Sequence, residues 1–133
     1  TPAAAQQVEA MARAIGARVR TLPANRHDLL VAAISHLPYA MAAALTLTAR
    51  QVAQSVPALW EIAASGFKDT TRIAASDVTM MLDILLTNQE AVTQLLTSAR
   101  TQLDQLASAL ANGDEPALRA LLEQAATQRR SLY

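Results

Sequence analysis

The 133-residue sequence predicts an all-α domain, a helical bundle with one long helix, and three observations carry that expectation. Strand-like alternation is confined to one short stretch, "ARVRTL" at 17–22. Elsewhere apolar residues recur at helical spacing between glycine, proline and Asx punctuation. Finally, Val92, Leu96, Ala99, Leu103, Leu106 and Leu110 follow one another at intervals of 4, 3, 4, 3 and 4, a heptad-like seam.

The elements follow in order. A first helix runs from about Ala3 to Ile15 and stops at Gly16. A second begins near Pro23, a residue suited to a first helical turn, and continues through "HDLLVAAISHLPYAMAAALTLTARQVA". Pro38 lies inside it. A proline there cannot donate to the carbonyl of Ile34 and crowds it, so a kink is expected near Ser35 and His36. Pro57 opens a helix through "ALWEIAAS" that ends at Gly66, with Trp60 expected in the core. Ser76 or Asp77 caps the run "SDVTMMLDILLTNQ". The long helix, from Asn88 to Ala111, extends roughly 36 Å at the standard rise. Asn112, Gly113 and Asp114 end it and cap the last helix, whose stripe is Leu118, Leu121, Leu122 and Ala125. The seam serves either as an intramolecular core or as a dimer interface, and the pattern leaves both open.

Composition excludes several functions. The length suits one domain with a core of its own. The formal net charge is zero and the charges are scattered, so no basic face marks a nucleic-acid partner or an anionic membrane. No 18-residue apolar run is present, and no membrane span is expected. There is no cysteine, which leaves the redox compartment open. The first residues have neither a secretory layout nor an initiator methionine, as in a processed product or an excised domain. Gly16, Gly66 and Gly113 stand far apart, so no glycine-rich loop can cradle a phosphate. A nucleotide site, if there is one, must come mostly from another segment or chain. Two histidines nine residues apart, without further ligands, do not make a zinc site.

Two stretches offer chemistry. Asp28, Ala32, Ser35, His36 and Tyr39 share one face of a straight helix, with Leu30, Ala33, Ile34, Leu37 and Met41 on the other side. That polar stripe is either a cleft wall or, as pattern alone favours, the solvent side of an amphipathic helix. His27 is half a turn out of phase with His36, so a straight helix cannot turn both into one pocket. The second stretch is "GFKDTTRIAASD", 66–77, which holds the only lysine, Lys68, of a chain with ten arginines. Arg72 offers a planar fork for a carboxylate or phosphate, and Thr70 and Thr71 add hydroxyls. Lys68 and Asp69 could form an ionic network that orients Arg72. On charge content alone, a solvated loop with a salt bridge worth less than about 1 kcal/mol is the simpler account.

Taken together, "HDLLVAAISHLPYAMAAAL" and "ASGFKDTTRIAASDVTMMLDILLTNQ" resemble the C-terminal helical domain of prephenate/arogenate dehydrogenases. That family carries HD…SHLPH and GF(K/R)DTTR(I/V)A segments in this order, and the likeness extends through "ANGDEPALRALLEQA". The resemblance implies a dimerisation fold like the C-terminal domain of 6-phosphogluconate dehydrogenase, spanning 1–133 and lacking the N-terminal Rossmann domain. It implies an NAD- or NADP-dependent oxidative decarboxylation of prephenate or arogenate in tyrosine biosynthesis, cytoplasmic, by a homodimer. The catalytic histidine and the dinucleotide belong to the Rossmann domain, so no catalytic residue is expected in this chain and the chain alone should not turn over. Arg72 matches the arginine that binds substrate carboxylate, with His36, Tyr39, Ser35 and Thr71 beside the substrate. Lys68, Asp69, His27 and Asp28 match ionic-network or interface positions. Many members have histidine where Tyr39 stands, so substrate preference and inhibition by tyrosine stay open. The alternative is a non-catalytic helical dimerisation or adaptor module.

Overall fold

The computed structural model describes residues 1–132. Those residues form helices and turns and contain no strand. Helix α1, Pro2–Ala14, is capped by Thr1 and stops where Gly16 takes a left-handed φ of 82°. It buries none of its residues, and Val8, Met11 and Ile15 face outward. The "ARVRTL" stretch that follows is irregular, because its alternation finds no partner strand to complete a ladder.

From Ala24 to Ser55 the chain is one continuous rod. Helix α2, Ala24–Val31, passes into a π-helical turn at Ala32–His36 and then into α3, Leu37–Ser55. The kink expected from Pro38 takes this form: the Leu37 N–H reaches back to the carbonyl of Ala32, and the wider turn accommodates the missing donor at Pro38. The rod is long and apolar enough to cross a membrane by length and composition, contrary to the reading that no segment would be. It passes that test as an alanine- and leucine-rich helix, and it packs against other helices of the chain.

The helix expected from Pro57 to Gly66 does not form. Pro57–Trp60 is a single 3-10 turn, residues 61–64 are irregular, and α4 is Ser65–Thr71, followed by a 3-10 turn at Arg72–Ala75. Gly66 therefore begins a helix and does not end one. The motif around Arg72 is helical, not a loop. Trp60 is 47% exposed, and its ring meets Phe67 at 6.0 Å between centroids, a tilted aromatic pair and not a core position.

Helix α5, Val78–Thr87, is capped by Asp77, whose Oδ1 accepts from the Met80 N–H at 2.8 Å. The chain breaks at Asn88 and resumes as α6, Gln89–Ala111. Gly113 turns the chain with φ 62°, and Asp114 caps α7, Glu115–Arg130, accepting from Ala117 at 3.0 Å. Helix α6 crosses the rod at the π turn, α4 and the Arg72 turn lie on α3, and α7 folds back along α6.

The length allows a core that the chain does not build by itself. The buried apolar residues are small or few: Ala32, Ala42, Met81, Val92 and Ala109. Accessible surface totals 10614 Å². A self-contained protein of this size exposes about 6,700 Å². Much of the excess is leucine, valine and isoleucine, including Leu96, Leu103 and Leu110 of the seam.

Candidate functional site

The π turn decides which side chains face inward. Ala32 and His36 pack into the molecule, His36 with only 8% of its surface exposed, while Asp28 and Ser35 stay exposed and Tyr39 is half-buried. The stripe predicted from a straight helix is thus divided. Its expected apolar counterpart is partly reversed: Leu30, Ala33 and Ile34 point outward, Ile34 with 77% of its surface exposed. The polar side of the rod meets α6, and part of the apolar side is left uncovered. Of that polar stripe, His36 turns inward, where it finds a partner.

That partner is Asn88, at the break between α5 and α6. Its Nδ2 donates to the carbonyl of Asp28 at 2.8 Å and lies 3.2 Å from His36 Nδ1. One amide thereby ties the α5–α6 joint to the rod on both sides of its π turn. Asn88 was not singled out from sequence. The available signal was the break it makes between two apolar helical runs, "MMLDILLTNQEAV".

Around this tie lies a cavity of about 370 Å³ lined by His27, Asp28, Val31, Ser35, His36, Ile84, Thr87 and Asn88. Both histidines line it, although a straight helix would have separated them; the extra residue in the π turn shifts their relative phase. His27 Nδ1 is 3.1 Å from Asp28 Oδ1, a pair that sits in the open. A larger hollow of about 430 Å³ runs along α7, but its charged side chains, Glu115, Arg119, Glu123 and Arg130, belong to one exposed helix face. It lacks converging polar groups from different elements.

The second stretch forms a separate patch. Lys68, Asp69 and Arg72 are exposed, and the ion pairs of the described residues are Glu9–Arg13, Asp28–His27 and Glu115–Arg119. Among the described residues no ion pair involves Lys68, Asp69 or Arg72. Thr70 and Thr71 donate their hydroxyl protons to the carbonyls of Gly66 and Phe67, each at 2.7 Å. Their oxygens can still accept. Gly66 needs neither unusual backbone geometry nor a close approach here, since a Cβ would meet nothing within 4 Å. Arg72 does not line the His36 cavity. The rod joins the two patches, one at its π turn and the other on α3. Among the described residues, no three His, Cys, Asp or Glu side chains gather to hold a metal ion.

The two patches offer an exposed guanidinium with hydroxyls in one and a buried imidazole in the other, groups suited to polar acids. A family model described as prephenate dehydrogenase, dimerization domain, matches residues 23–124. A prephenate dehydrogenase of Lactococcus lactis is 28% identical over 127 residues, 96% of this chain and 36% of that protein. This chain thus spans about a third of that relative's length. Among solved structures, prephenate dehydrogenase from A. aeolicus in complex with hydroxyphenyl propionate and NAD+ superposes with a TM-score of 0.91 at 28% identity, over 100% of this chain and 46% of that one. Synechocystis arogenate dehydrogenase gives 0.81 at 28% identity, over 100% of this chain and 49% of that one.

Proposed function

The chain belongs to the prephenate dehydrogenase family as its dimerization domain, and from that premise we propose that it binds substrate and forms the homodimer of an enzyme that oxidatively decarboxylates prephenate or arogenate. The observation that carries this reading is Arg72, an exposed guanidinium without an ion-pair partner among the described residues, within the motif "GFKDTTRIA". An exposed arginine on a helical turn, unpaired among the described residues, is free to take a carboxylate with two parallel hydrogen bonds.

Among the described residues nothing fits the pyrophosphate of a dinucleotide. The chain's three glycines are isolated and none belongs to a phosphate-binding loop. In this reading NAD or NADP is held by an N-terminal domain, together with the catalytic histidine, in a cytoplasmic enzyme. This chain's residues bind and orient. Arg72, with Thr71 beside it, takes a carboxylate from one patch, while His36, Ser35 and Tyr39 offer hydrogen bonds from the other. Lys68, Asp69, His27 and Asp28 meet a partner subunit or the second domain, which accounts for the absence of an ion pair at Lys68 and Asp69 among the described residues. Tyrosine, which shares the aromatic skeleton of the product, is the inhibitor to test at the same site.

The test is reduction of NAD and of NADP by the full-length protein, with prephenate and arogenate each supplied, beside Arg72→Ala. Turnover with one combination and a large loss of kcat/KM in the variant support the reading. The chain alone should not reduce either cofactor. Absence of turnover in every combination would leave a helical dimerisation module as the better account.

A further inference from the structure

We propose that Asn88 is a positioning residue that holds His36 as its Nε2–H tautomer, making this buried imidazole a hydrogen-bond donor to an oxygen of a small carboxylic acid in the cavity. The inference rests on the reading of that cavity as part of the substrate site, and it concerns a residue on a different element from either motif.

The argument starts at the carbonyl of Asp28, which can only accept. The Asn88 atom 2.8 Å away must therefore be the amide nitrogen, and the amide cannot be turned over without setting two oxygens against each other. The same nitrogen lies 3.2 Å from His36 Nδ1. An NH2 group carries two protons, one for each neighbour. A proton on Nδ1 would point at a donor, so Nδ1 must accept and the ring proton sits on Nε2. Nε2 has no hydrogen-bond partner among the described residues, and it is not among the buried polar atoms left without one. It therefore keeps access to open space, although its residue is 8% exposed. His36 lines the cavity, and the donor role proposed for it places the Nε2–H there. Holding one tautomer in advance removes the cost of selecting it when the ligand arrives.

The experiment reads the 15N shifts of His36 in the full-length protein, free and with its substrate's product, and compares Asn88→Asp. The wild type should show a protonated Nε2 and an unprotonated Nδ1, with the Nε2–H signal moving when ligand binds. A carboxylate at 88 can only accept, so the proton should appear on Nδ1 in that variant. Kinetics supply the second arm. Asn88→Ala and His36→Ala should each raise KM by about tenfold, the effect of one lost hydrogen bond, and the double variant should be no worse than His36→Ala. A wild-type proton on Nδ1, or additive losses in the double variant, would overturn the proposal. The expected tautomer with unchanged KM in all three variants would support the Asn88–His36 assignment and sink the substrate role of the cavity. The wild-type spectrum decides the tautomer even if Asn88→Asp fails to fold.

Discussion

At Arg72 stability and function separate. Its side chain is exposed and has no ion-pair partner among the described residues, so Arg72→Ala should change thermal stability by no more than about 0.5 kcal/mol. On the proposed reading, in which Arg72 holds a substrate carboxylate, the same substitution should lower kcat/KM of the full-length protein by at least about tenfold. Calorimetry and steady-state kinetics on one preparation check both halves. The cap residues behave in the opposite way. Asp77→Ala frees the Met80 N–H and should cost about 1 kcal/mol in stability, read as a lower Tm, with KM unchanged. Ala32 has no exposed surface where the π turn meets α6, so Ala32→Leu should cost about 1–3 kcal/mol through overpacking. Arg72 could be singled out in the sequence because its motif is contiguous, and its role is the one proposed above. Asn88 was not, because its meaning depends on a carbonyl 60 residues away.

Among the elements, the rod shows where sequence pattern succeeds and where it stops. Pro38 announced a kink at Ser35 and His36, and a π turn stands there. Periodicity could not announce the phase shift, because the 3.6-residue repeat used to assign faces is what a π turn breaks. The error in 57–66 has a similar source. Pro57 can begin a helix, but the run to Gly66 shortened to one turn, and the glycine taken as a stop lies in the first turn of α4. In α6 the seam is divided along its length. Val92 is buried within the chain, whereas Leu103 is 51% exposed. Val92→Ala should therefore destabilise each subunit by about 2 kcal/mol. Leu103→Glu should leave the subunit's own packing intact and weaken self-association by at least about tenfold, measured by sedimentation.

For the whole molecule, the accessible surface exceeds that of a self-contained protein of its size by about 3,900 Å² per chain. Obligate interfaces bury about 2,000–5,000 Å² counted over both partners, so pairing would cover part of this excess. The thermal midpoint of the protein should accordingly rise with concentration over a hundredfold range, and a midpoint independent of concentration would show that association adds no stability. Folding and pairing are then one event, with a kinetic consequence inside a cell. Pairing is second order in newly made chains, while removal by proteases is first order. At low synthesis most unpaired chains, with their leucines uncovered, are degraded; at high synthesis most find a partner. Enzyme abundance should therefore respond more than proportionally to expression, a threshold set by the uncovered apolar surface of α6 and the rod.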